Sequence, residues 1–90
     1  MSFDEDRMAQ MRQRFADAAG DQADRIEALL RTGDVEGARQ LAHGLAGRSG
    51  MFGFTELGEA ARRVDEAEAA ALPAQAEELL AALRTLARQD

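Results

Sequence analysis

A single histidine, His43, stands at the head of a glycine series: Gly44, Gly47, Gly50 and Gly53 follow it, each three residues after the last. Glycine inside a helix costs roughly 1 kcal/mol relative to alanine. A chain that accepts several such costs beside its one imidazole is keeping side chains away from that ring. On a helical wheel of about 100° per residue, Val35, Ala38, Leu41, Ala42, Leu45, Ser49 and Phe52 share one apolar arc, and His43 lies about 140° from its middle. The ring is thus expected to face outward, among Arg39, Gln40, Ala46, Gly47 and Gly50. Ala46 and Gly47 hold the i+3 and i+4 positions, whose side chains would otherwise crowd it. The plain alternative is an ordinary surface histidine.

An imidazole free in water titrates near about 6.5, so at neutral pH much of it carries a nucleophilic lone pair. Histidine can form covalent intermediates through that nitrogen. Hydrolysis would also require a base, an oxyanion hole or a metal, and the sequence offers no pattern for any of them. A phosphoryl carrier requires less: one accessible nitrogen and a flat surface to which the donor brings its own machinery.

The segment Ala42-His43-Gly44-Leu45-Ala46-Gly47-Arg48-Ser49-Gly50-Met51-Phe52-Gly53 resembles the signature of histidine-containing phosphotransfer (HPt) domains, the carriers of bacterial-type phosphorelays. Ala42, His43, Leu45, Gly47, Ser49, Gly53 and Leu57 match that pattern, and Gly33-Asp34 and Val64-Asp65 echo family positions further out. The resemblance implies His43 as phospho-acceptor. Gly44, Ala46, Gly47 and Gly50 would clear the docking face, and response-regulator receiver domains or a hybrid histidine kinase would be the partners. The chain would carry no cofactor of its own, and Mg2+ would come from the receiver. The departure is Ala46, where the family usually carries a lysine that helps hold the phosphoryl group. Gln40 and Arg39, one turn before His43, are candidates to contact the phosphoryl oxygens. Arg48 is a third, although it sits about 140° round the helix.

The elements that must position this segment read as helices throughout. Alanine is abundant, proline occurs once and β-branched residues are scarce. A first helix is expected over residues 3–31, opened by a capping box of Ser2 with Glu5. Its stripe is Met8, Met11, Phe15, Ala19, Ile26, Leu29 and Leu30, with Met8 and Met11 read as core and a kink or break placed at Gly20-Asp21. Gly33 suits a left-handed cap and Asp34 an N-cap, so the histidine helix is expected over 35–52 with Gly53 as its cap. A third helix follows over 55–70, with Thr55 as N-cap and a stripe of Leu57, Ala60, Ala61, Val64, Ala67 and Ala71. If it packs beside the histidine helix, Arg62 or Arg63 borders His43. A fourth runs over 73–88, started by Pro73, with Glu77 and Glu78 in its first turn and a core face of Ala76, Leu79, Leu80, Leu83, Leu86 and Ala87. Short connections predict an all-α, antiparallel up-down-up-down four-helix bundle, one domain over 1–90.

Composition narrows the function. Cysteine is absent, which removes disulfides and thiolate metal sites. One histidine and no EF-hand or Glu-x-x-His spacing leave no expected metal site. No Gly-x-x-x-x-Gly-Lys loop is present, so no ATP site and no independent turnover are expected: a phosphocarrier, not an enzyme. Net charge is −6, which disfavours nucleic acid. Every basic residue is arginine, consistent with a GC-rich bacterial source. From Arg39 to Arg63 four arginines face only Glu56 and Glu59, so this segment is +2 and the rest −8. His43 therefore sits in the least acidic part of an acidic chain, suited to an acidic partner. The start, Met1 to Asp6, is acidic and polar, and no apolar run reaches membrane-span length. A cytoplasmic monomer away from membranes is the expectation. Two functions remain: a phosphorelay carrier on His43, or a helical interaction module that binds a receiver or kinase without accepting phosphate.

Overall fold

The computed structural model describes the backbone of residues 3–89 and the side chains of residues 4–89. Among the described residues the regular structure is entirely helical: α1 (Phe3–Asp17), α2 (Ala19–Arg31), α3 (Val35–Met51), α4 (Thr55–Glu66) and α5 (Leu72–Ala87). α1 and α2 are one rod interrupted at Ala18. At Ala18 the backbone stays near helical values and the hydrogen-bond ladder continues, from Ala18 N to Arg14 O and from Gln22 N to Ala18 O, each 3.0 Å. The break thus precedes the Gly20-Asp21 site expected for it. It falls between Phe15, which packs on the α3–α4 turn, and Ala19, the first fully buried residue. Gly20 continues the helix beside Ala87 of α5.

The core joins α2 to α5: Ala19, Ala23, Ile26, Ala42, Leu45, Leu57, Ala60, Ala61, Val64, Leu72, Ala76, Leu79, Leu80 and Leu83 form one buried cluster. α3 packs most extensively on α4, while α5 bridges α2 and α4. Arg84 of α5 also pairs with Asp24 and Glu27 of α2. Gly58 is what brings α3 and α4 so close. A Cβ there would lie 3.3 Å from Ser49 Cβ and 3.6 Å from the Ala46 carbonyl oxygen. Ser49 is fully buried at this contact and its hydroxyl has no hydrogen-bond partner.

The caps explain where the helices begin. Asp34 caps α3, its carboxylate accepting from Gly37 N at 2.8 Å. Gly33 and Gly53 hold positive φ, 74° and 82°, the left-handed turns that end α2 and α3. Thr55 is not the cap of α4. Phe54 holds that place without a side-chain bond, since a phenyl ring carries no acceptor, and its ring stacks on Phe15 at 5.3 Å. The Ser2 half of the capping box expected for α1 lies outside the described residues.

Further expectations are corrected. α4 ends at Glu66, not residue 70: Ala67 is extended at ψ 144°. The alanines beyond Val64 offer little area to bury, and helix propensity alone does not hold a helix end. Leu72 is fully buried and draws α5 to start one residue before Pro73. Glu77 and Glu78 therefore fall past the first turn, and Glu78 pairs with Arg63 of α4 instead at 3.6 Å. Met8 and Met11 are exposed, not core. The rod of residues 3–31 would span about 43 Å at 1.5 Å per residue, against about 25 Å for α3. The start of the rod therefore overhangs its neighbours.

Candidate functional site

His43 projects from the middle of α3 with its side chain 78% exposed. Ala42 on one side and Leu45 two residues on are fully buried, which fixes the helix phase and turns the imidazole outward. The ring is not loose. Its Nδ1 lies 2.9 Å from Oδ2 of Asp65, near the end of α4. An ionised carboxylate can only accept, so Nδ1 carries the proton in this contact, and in the neutral ring the lone pair is on Nε2. The arrangement presents one nitrogen for chemistry and ties down the other.

Asp65 is itself held in place. Arg39 donates from Nη1 to the Asp65 carbonyl oxygen at 3.1 Å and pairs through Nε with Glu36 at 3.6 Å. Arg39, expected as a phosphoryl contact, thus staples the end of α4 to α3. Gln40 is exposed on the turn before His43. Arg48 does not approach Asp65. It folds back over Gly44, its Nη1 3.4 Å from where a Cβ on that glycine would sit, and borders a groove with Arg14, Phe15 and Leu41 on the α1–α2 side.

The glycines divide accordingly. Gly47 and Gly50 are exposed, and a Cβ on either would meet no atom within 4 Å, so the surface next to His43 is open there. Gly44 is half-buried and covered by Arg48, and so it does not belong to the open face. Ala46 is half-buried and walls a hollow of about 260 Å³ with Gly50, Thr55, Gly58, Glu59 and Arg62. Among the described residues no cluster of three potential metal ligands occurs, and no helix is long and apolar enough to cross a membrane.

A family model, the Hpt domain, matches residues 10–89. The chain belongs to the Hpt domain family. No curated protein and no solved structure matches it significantly. Hpt domains are phosphocarrier modules of phosphorelays rather than kinases, and the family interacts with receiver domains and kinases. In this Hpt domain the sequence pointed to His43 and to the small residues around it, but not to the partner of its ring. Val64-Asp65 drew notice only as a family echo. Asp65 lies 22 residues from His43, and no periodicity links positions on two different helices. Only the packing of α4 on α3 brings them together.

Proposed function

We propose that this Hpt domain is a phosphorelay carrier in which His43 takes a phosphoryl group from a receiver-domain aspartate and passes it to another receiver. The observation that carries this reading is the exposed imidazole with Nδ1 engaged by Asp65 and Nε2 free. The Nε2 lone pair attacks phosphorus. The bond from phosphorus to the aspartyl oxygen breaks, and its electron pair leaves with the carboxylate. The ring gains positive charge, which the Asp65 carboxylate opposite Nδ1–H stabilises, so no proton has to depart. Onward transfer reverses these steps. The receiver brings Mg2+, and in-line alignment and charge stabilisation account for most of the catalysis.

The open ground at Gly47 and Gly50 supports docking of a second protein over the ring. We read the four rods as an antiparallel up-down-up-down bundle. Short connections support this, as do the pairings of His43 with Asp65 and of Ser49 with Gly58. The expectation of a cytoplasmic monomer belongs to the same proposal.

The test is incubation with a phosphorylated receiver. Wild type is expected to acquire an acid-labile, base-stable label, and His43→Gln none. Label retained by His43→Gln rejects the assignment. Ala46 favours a second reading, an interaction module that binds receiver or kinase without accepting phosphate. Equal receiver affinity for wild type and His43→Ala, with no label on either, selects that reading.

A further inference from the structure

The site as described lacks a cation for the phosphoryl group. Transfer places on Nε2 a phosphoryl group whose oxygens carry roughly two negative charges, next to a ring already paired with the Asp65 carboxylate. Position 46, one turn beyond His43 on the same face, is alanine. The arginines near this face are nearly all engaged. Arg39 is bound to the Asp65 carbonyl and Glu36, and Arg63 pairs with Glu78. Arg48 lies across Gly44 towards the α1–α2 groove.

Arg62 is different. It is exposed, and among the described residues it makes no ion pair or hydrogen bond. It lies three residues before Asp65 on α4, so the two share a helix face one turn apart. Asp65 meets His43, and Arg62 shares a hollow with Ala46 and Gly50. The empty volume that a longer side chain at 46 would occupy is therefore bordered by Arg62 of the neighbouring helix, whose guanidinium is unpaired. Glu59 lies in the same hollow but does not pair with Arg62. Gly58, by bringing α4 against the Ala46 carbonyl, sets how near that guanidinium comes to α3.

We propose that Arg62 is the phosphoryl-binding residue of this site, reaching across the hollow over Ala46 to bond the oxygens of the group on His43. A guanidinium suits the role because its planar fork of donors matches phosphate oxygens. The inference rests on the carrier reading of His43.

Its test uses two donors: a phosphorylated receiver, and phosphoramidate, which brings no protein surface. With the latter, Nε2 attacks phosphorus, the P–N bond breaks, and ammonia leaves with the bonding pair. Arg62→Gln is expected to take label about tenfold more slowly from both donors. Helicity and melting temperature should not change, since the side chain is exposed and unpaired. Arg62→Lys should recover part of the rate. The double variant Ala46→Lys/Arg62→Gln should recover most of it, by supplying the cation from α3. Unchanged rates in Arg62→Gln overturn the proposal while leaving the carrier reading intact. A loss confined to the receiver donor also overturns it, because Arg62 then serves docking alone. If wild type takes label from neither donor, the carrier reading falls and Arg62 with it.

Discussion

At the scale of single residues, the chemistry rests on the division of labour between the two nitrogens of His43. A solvent-exposed imidazole with no partner samples both tautomers and rotates. One held at Nδ1 by a carboxylate offers Nε2 at a defined place. Asp65→Asn keeps the shape of the partner but removes its charge, so the positive charge that develops on the ring is less well stabilised. Label uptake from a phosphorylated receiver should fall about tenfold or more, matching the loss of a charged hydrogen bond worth about 1.5–3 kcal/mol. The helical circular dichroism spectrum should not change. Unchanged uptake would show that the ring needs no charge on its partner at Nδ1.

At the scale of elements, α3 trades helix stability for access. Gly47 is helical, exposed and unobstructed at the Cβ position. Gly47→Ala should therefore stabilise the protein by about 1 kcal/mol. For a domain of this size that is a rise in melting temperature of about 4–8 °C. If the open surface serves docking, transfer from a receiver should slow in the same variant. A more stable protein with full transfer would leave the glycine unexplained by access. The opposite case is Gly58, whose missing side chain is filled by its neighbour. Gly58→Leu must push α4 off Ser49 and the Ala46 carbonyl. Overpacking of this kind costs about 1–3 kcal/mol, and separating α3 from α4 also parts Asp65 from His43. Denaturant unfolding and label uptake should both report the loss.

At the scale of the whole molecule, a short bundle carries one long rod. The longest dimension is 48 Å against 21 and 17 Å for the others, and the side chains from Asp4 to Arg14 are all exposed. The rod is tied in from Arg12 onward: the Arg12 guanidinium lies over the Phe54 ring at 5.4 Å, and Phe15 packs edge-on to Phe52 at 5.8 Å and stacks on Phe54. Met8 and Met11 lie beyond that anchor and outside the core. The double variant Met8→Gln/Met11→Gln should therefore leave stability within about 0.5 kcal/mol of wild type, as surface substitutions do. A larger loss in urea unfolding would mean that the overhang packs on the bundle in solution.

Periodicity alone was enough to settle the helical class, the outward phase of His43 and the buried faces of α3, α4 and α5, except for Ala71 and Ala87, which are exposed at the ends of α5. These follow from which residues of one helix lie on one side, a local property written in a spacing of 3.6 residues. Gly33, Asp34 and Gly53 marked their turns for the same reason, because caps involve only adjacent backbone. Helix ends that depend on what there is to bury were not legible: α4 stopping at Glu66, α5 reaching back to Leu72, Met8 and Met11 left in the open. Nor was the pairing of His43 with Asp65, or which of the two arginines expected beside His43 would stand at Ala46. Those belong to the distance and rotation between two helices, and a glycine contact at Gly58 sets both. No single helix carries that information, so only the packed bundle could decide it.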